Sequence, residues 1–261
     1  MTQPSDTNQR TQTPATPLVF VHIPKAAGTS LKDLIARVYR GKPSLFFTPG
    51  DGRLERFATL PLASRAACAV VAGHEPFGLQ RVFDGTGLTP AVITVVREPV
   101  ARVVSLYRYI FREKAHPRHA DFVARRPTVR DVLAARDFPP FDNHQVRFLA
   151  GAESHEKPFG EIGEDDLETA KRNLAEGVRV FGLQERMDES LRLFTSVLGW
   201  PVVTLPRLNT TGSGDDAPPV TDADRAAIAE ANRFDAALHG FAESLFEGRL
   251  GALGDVQDEP C

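Results

Sequence analysis

Lys25, His74 and Arg97 each come shortly after an apolar run: Leu18 to Ile23, Ala69 to Ala72, and Ala91 to Val96. In open parallel sheets ligands bind at the carboxyl ends of the strands, so these three residues are expected to line one crevice. A lysine, an arginine and a histidine placed together suit chemistry on an anion. Two carry positive charge and the third is the base that titrates near neutral pH.

The residues around them sharpen that expectation. His22-Ile23-Pro24-Lys25-Ala26-Ala27-Gly28-Thr29-Ser30 joins a buried strand to the start of a helix. Successive backbone N–H groups and the helix dipole make such a junction an anion site. Ala26, Ala27 and Gly28 are small enough to let a phosphate approach, and Thr29 and Ser30 add hydroxyl donors. A second stretch, Arg97-Glu98-Pro99-Val100-Ala101-Arg102-Val103-Val104-Ser105-Leu106-Tyr107, puts Ser105 about two turns into the following helix. Arginine with serine suits a second phosphate, because guanidinium grips phosphate as a two-pronged fork. The third stretch is Gly73-His74-Glu75-Pro76-Phe77-Gly78, with His74 as the expected general base and Glu75 as its competitor.

Apolar runs alternating with amphipathic helices position these groups, an α/β pattern with a central, mainly parallel sheet. Leu18 to Ile23 is apolar on both faces, as a central parallel strand must be. Leu31, Leu34, Ile35 and Val38 then fall on one helical face, and Val100, Val103, Val104, Tyr107 and Ile110 make the buried stripe of a helix opened by Pro99. Further elements are expected as a helix over 166–176 stopped by Gly177, a strand over 178–182, a helix over 187–198 and a short strand over 201–205. A single final helix is expected after Thr221 or Asp222. Residues 113–142, rich in Arg, His and Pro, read as an irregular, lid-like insertion. The expected organisation is a tail over 1–17, one domain over 18–250 and a loose tail over 251–261.

The 261 residues carry a net charge of −3, which disfavours a general nucleic-acid binder and requires any bound anion to meet local positive charge. Two cysteines, Cys68 and Cys261, suggest no disulfide framework and fit a reducing, cytoplasmic setting. The sequence has no apolar run long enough for a membrane span, and no apolar segment in its first residues that suits a signal. It offers no obvious acidic strand end as a metal ligand. His22 reads as a core histidine, and His116, His119, His144, His155 and His239 lack ligand spacing. Arg102, Arg108, Arg112 and Arg118 are candidates for meeting an anionic acceptor.

The first two motifs together resemble the family of sulfotransferases that use 3′-phosphoadenosine 5′-phosphosulfate (PAPS), in its carbohydrate branch and bacterial relatives. That family shows an H-I-P-K-T-G-G-T-S-like loop and an R-[DE]-P-x-x-R-x-x-S-x-Y element. The resemblance runs from Leu18 to about Tyr109 and resumes weakly at Asp142 to Leu149 and Phe181 to Arg186. It implies a P-loop-like three-layer fold. It also implies that Lys25, Gly28, Thr29 and Ser30 hold the 5′-phosphosulfate and that Arg97 and Ser105 hold the 3′-phosphate. A late loop, Arg207-Leu208-Asn209-Thr210-Thr211, looks like the segment that closes over the nucleotide. Ala26 and Ala27 depart from the Thr and Gly common in the family, which removes one hydroxyl contact and keeps the backbone cradle. The implied activity is metal-free sulfuryl transfer to a hydroxyl on a small molecule, glycan or glycolipid, with Lys25 and His74 catalytic. Two other classes stay open: a metal-dependent P-loop phosphotransferase of the nucleoside-kinase sort, and a non-catalytic nucleotide sensor. The lysine opens this loop, whereas G-x-x-x-x-G-K-[ST] puts it at the end, which disfavours the first.

Overall fold

The computed structural model describes residues 16–201 and 216–257. A five-stranded, wholly parallel sheet forms the centre, with helices packed around it. Its strands are β1 (Leu18–Val21), β2 (Ser44–Phe46), β3 (Val70–Gly73), β4 (Ala91–Val96) and β5 (Val180–Leu183), in the spatial order β2-β3-β1-β4-β5. Leu18 stands opposite Val70 on one side and Ala91 on the other, so β1 is central and every one of its residues is buried. Because β3 and β4 flank β1, the carboxyl ends of three adjacent strands open on one edge. This is where Lys25, His74 and Arg97 emerge.

The helices are α1 (Gly28–Val38), α2 (Arg53–Ala58), α3 (Leu62–Ala66), α4 (Pro99–Arg112), α5 (His119–Arg125), α6 (Val129–Ala135), α7 (His144–Ala150), α8 (Ala152–His155), α9 (Glu164–Arg172), α10 (Met187–Leu198), α11 (Asp222–Ala231) and α12 (Arg233–Gln257). The stripe Leu31, Leu34 and Ile35 anchors α1 in the main core. In α4 the carboxylate of Glu98 caps the helix, accepting from the N–H groups of Val100 (2.8 Å) and Ala101 (2.6 Å). Among the described residues no helix is long and apolar enough to cross a membrane.

Several expectations need correction. Residues 113–142 are not irregular: they hold α5 and α6, whose Phe122, Val129 and Val132 join Val103, Tyr107, Ile110 and Ile228 in a second apolar core. The expected single last helix is two, α11 and α12, and α12 runs through Gly251 to Gln257 instead of ending in a loose tail. Helix α9 ends at Arg172, and a wider helical turn carries the chain to Gly177. Strand β2 was not foreseen, since three residues are too few to show a period. The strand expected over 201–205 lies, from residue 202 on, outside the described residues, as does Arg207 to Thr211.

The break between α11 and α12 belongs to a buried polar network. The Asn232 side chain accepts from the Asn143 N–H (2.9 Å) and donates to the carbonyls of Phe141 (2.9 Å) and Ile228 (3.0 Å). Asn143 Oδ1 accepts from the N–H groups of Phe234 and Asp235, both at 3.0 Å. The buried Asp235 carboxylate in turn accepts from the N–H groups of Gln145 (3.2 Å) and Val146 (2.8 Å). The network thus fixes the start of α7 and with it Gln145, which grips Arg97 in the crevice. Asn232→Ala would leave the Asn143 N–H and the Phe141 carbonyl buried without these partners, at about 1–3 kcal/mol for each unsatisfied group. Urea unfolding is expected to show a lower midpoint at an unchanged slope. An unchanged midpoint would contradict the network's role.

Candidate active site at the strand ends

The loop after β1 turns on two residues in the left-handed region, Lys25 (φ 69°) and Ala27 (φ 58°), neither of them glycine. Each costs about 1–3 kcal/mol in local strain, and such strain concentrates where a ligand is held. The turn leads directly into α1, which starts at Gly28. No side chain caps that helix and no acidic residue stands in its first turn, whereas Glu98 already occupies the start of α4. Of the starts of α1 and α4, that of α1 is the one without a carboxylate cap.

Gly28 is required by a close approach. A Cβ built on it would lie 1.7 Å from Nε2 of His22. His22 directly follows β1, only 7% exposed, with its ring stacked on Phe20 at 5.2 Å between centroids. Burial, with His74, Lys32 and Lys25 nearby, lowers its pKa to about 2, so the ring is neutral. This is the core histidine expected from the sequence, and it also forms the floor of the loop.

His74 lies against His22, with 4.0 Å between ring centroids. Its Nδ1 is 2.9 Å from the His22 carbonyl oxygen. A carbonyl can only accept, so Nδ1 carries the proton and Nε2 is left as the basic nitrogen. Burial pulls the His74 pKa below the ordinary histidine value, against the raising effect of that hydrogen bond, with Lys32 and Lys25 adding to the fall. A neutral imidazole with a fixed tautomer is what a general base needs. Glu75, its sequence neighbour, has its pKa raised by burial and by Glu55 and Glu156.

Arg97 is clamped at its backbone: its N–H donates to Gln145 Oε1 (2.8 Å) and its carbonyl accepts from Gln145 Nε2 (2.7 Å). Its Nη1 donates to the Lys25 carbonyl at 3.0 Å, which ties the second motif to the strained turn of the first. Arg97 Nε is buried with no partner. Lys25 projects over the Tyr109 ring, its Nζ 3.8 Å from the centroid. Burial, Arg112 and Arg97 lower the Lys25 pKa to about 8, while Glu113 opposes them. Neither Lys25 nor Arg97 has an ion-pair partner among the described residues. Two uncompensated, half-buried cations therefore face one crevice, which favours an anionic ligand.

The sequence expectations fare unevenly. Lys25, Gly28, Thr29, Ser30, His74 and Arg97 come together at one edge, and Ser105 lies on α4, the helix that follows Arg97. Ala26 turns its side chain into the core and gives its N–H to the Ile23 carbonyl (3.3 Å), so neither faces the crevice. Arg102 is fully buried and donates to the Pro140 carbonyl (2.7 Å), and Arg118 pairs with Asp137 (3.2 Å). Those engagements remove both from the candidates for an anionic acceptor. Asn209, Thr210 and Thr211 lie outside the described residues. No sequence signal points to Tyr109 or to the grip of Gln145, since both act across the fold. Among the described residues no cluster of three or more His, Cys, Asp or Glu side chains could hold a metal ion.

No family model matches the chain, and no curated protein matches it. Among solved structures, it is similar to the crystal structure of mouse sulfotransferase SULT7A1 complexed with PAP, at 15% identity and a TM-score of 0.41. That match covers 84% of this chain and 64% of the mouse chain.

The neutral floor histidine has a consequence for stability. An unfolded histidine titrates near 6.5, whereas His22 in the fold takes up a proton only near 2. Between those values the unfolded chain binds the extra proton, so stability falls as pH drops below about 6.5, by about 1.4 kcal/mol per pH unit for this one group. Urea unfolding of wild type and His22→Asn between about pH 4 and pH 6 is expected to show a shallower dependence in the variant, by one proton. Equal slopes would mean that His22 is protonated in the fold.

Proposed function

We propose that this chain is a PAPS-dependent sulfotransferase that moves a sulfuryl group to an acceptor hydroxyl, on a carbohydrate or glycolipid. The observation that carries the reading is the convergence, at the ends of β1, β3 and β4, of an open helix start with Lys25, a tautomer-fixed His74 and an unpaired Arg97. A helix start with Lys25, a second cation in Arg97 and a neutral imidazole at one edge are what a substrate with phosphate at its 5′ and 3′ positions and a transferable group would call for.

In the proposed reaction the N–H groups of Ala27 to Ser30, the Thr29 and Ser30 hydroxyls and Lys25 bind the 5′-phosphosulfate. Arg97 and Ser105 bind the 3′-phosphate, and Asn209, Thr210 and Thr211 belong to the loop that covers the nucleotide. The acceptor oxygen attacks sulfur in line with the bridging oxygen. A new S–O bond forms, the S–O bond to the 5′-phosphate breaks, and its electron pair stays on that phosphate. His74 Nε2 takes the acceptor's proton. Lys25 and the loop N–H groups stabilise the charge growing on the leaving oxygen. The products are the sulfate ester and 3′-phosphoadenosine 5′-phosphate (PAP). The proposal routes no step through a metal, since the leaving group is a phosphate already held by cations and dipoles.

The pH dependence follows from the two titrating groups. His74 must be neutral, and its pKa lies below the ordinary histidine value, so kcat/KM rises through that lowered pKa on the acid side. Lys25 must be charged, so kcat/KM falls as pH rises through about 8. A screen of glycans, glycolipids and phenols with labelled PAPS is expected to find an acceptor and give this bell-shaped profile. His74→Ala is expected to lower turnover by about a hundred- to ten-thousandfold and erase the acid limb, with nucleotide affinity nearly unchanged. Glu75→Gln is expected to do much less. If Glu75→Gln abolishes turnover and His74→Ala does not, Glu75 is the base. If PAP binds but no acceptor is sulfated, the chain is a nucleotide sensor.

Arg97→Ala is expected to weaken PAP more than adenosine 5′-phosphosulfate in calorimetry. Some loss for both nucleotides is expected too, because Arg97 also holds the Lys25 carbonyl. Equal losses would make Arg97 a loop-holding residue alone.

A further inference from the structure

The ammonium of Lys25 rests 3.8 Å from the centroid of the Tyr109 ring, a cation over an aromatic face. Tyr109 lies on α4, one turn beyond Ser105, and outside the Arg97–Tyr107 motif. Tyr107, the motif's own tyrosine, is buried and donates its hydroxyl to the Pro127 carbonyl at 2.8 Å. The Tyr109 ring is itself supported. His116 meets it edge-on, with 6.0 Å between centroids and an interplanar angle of 87°. Nδ1 of His116 accepts from the Arg118 N–H at 3.2 Å, so Nε2 carries the ring proton. The far side of His116 meets Phe138 edge-on at 6.3 Å. Residues 113–142 thus reach the loop after β1 through one path of edge-on ring contacts and a cation over a ring face: Phe138, His116, Tyr109, Lys25.

We infer that Tyr109 is the positioning residue for Lys25, holding its ammonium over the open start of α1 by the face of its ring. The inference rests on the proposed function only in taking Lys25 as the cation for the leaving phosphate. Its physical basis is local. Lys25 faces Arg97 and Arg112, which disfavour its charge, Glu113, which favours it, and the neighbouring His116. With no carboxylate in ion-pair range among the described residues, the ring's negative face is the direct contact there that favours the charged amine. It also pre-extends a long flexible side chain that would otherwise sample many rotamers. The contact is weak beside a phosphate, so a bound anion draws the ammonium off the ring and onto the ligand.

The test reads Lys25 itself. In the ligand-free full chain, the pH dependence of reductive methylation at Lys25, followed by mass spectrometry, gives the midpoint of its protonation. Wild type is expected near 8. Tyr109→Phe keeps the ring and is expected to keep that midpoint. Tyr109→Leu removes the face and is expected to lower it by about half to one pH unit. Tyr109→Met serves if the Leu variant melts early. The alkaline limb of labelled-PAPS turnover is expected to move with the midpoint in the same variants. An unmoved midpoint in the ring-less variants would overturn the inference, and so would a Tyr109→Phe midpoint that falls as far as that of Tyr109→Leu. A midpoint that moves while no acceptor is ever sulfated supports the positioning role and removes the proposed function. Sulfation with an unmoved midpoint does the reverse.

Discussion

The crevice depends on one close approach, the His22 imidazole lying against the α-carbon of Gly28. Any side chain at Gly28 would occupy the ring's own volume. The ring in turn stacks on Phe20 and meets His74 at a tilt, and its residue's carbonyl fixes the His74 tautomer. Moving the helix start away from the ring would therefore displace the loop after β1 and His74 together. Protein interiors are packed densely enough that such a contact has few ways to relax. The strained turn at Lys25 and Ala27 is the backbone's answer to this constraint, since it carries the chain from a buried strand over the ring and into α1 within a few residues.

Electrostatics then decide what the crevice is for. The chain as a whole is mildly acidic, yet Lys25 and Arg97 are half-buried without ion-pair partners among the described residues, with Lys32 and Arg112 close enough to be felt. Unpaired cations of this kind are costly to the free protein, and an anionic ligand relieves that cost on binding. The lowered Lys25 and His74 pKa values have one main cause, burial, and they leave the lysine charged and the histidine neutral around pH 7. Perturbed groups converging in one cleft are the usual physical mark of a functional site. The Arg97 bridge to the Lys25 carbonyl ties the two motifs together: the guanidinium of the second also props the strained turn of the first.

What was legible in the sequence was whatever a short window can carry. Strands β1, β3, β4 and β5 announce themselves because both their faces are buried, and the residues at their ends follow from the parallel topology. The loop and the Arg97–Ser105 element are local patterns, and the structure brings both to one edge. Contacts made at long range stayed hidden. The break at Asn232 comes from hydrogen bonds to Asn143 and Phe141, far away in sequence. The helices α5 and α6 are short and polar, and they hold together by packing on α4 and α11 rather than by a strong pattern of their own. Arg102 stood among the candidates for meeting an anionic acceptor, whereas the fold buries it whole. Tyr109 and Gln145 matter through what they touch across the crevice, which no spacing reveals.

The central claim is that this edge binds a 3′-phosphorylated adenosine nucleotide through cations and backbone dipoles alone. Titration calorimetry of PAP into the full chain, with a metal chelator present, tests it most directly. The account predicts binding at an affinity that chelation leaves unchanged, and much weaker binding of adenosine 5′-phosphate, which lacks the 3′-phosphate. Binding of ATP with magnesium, and no binding of PAP, would contradict it.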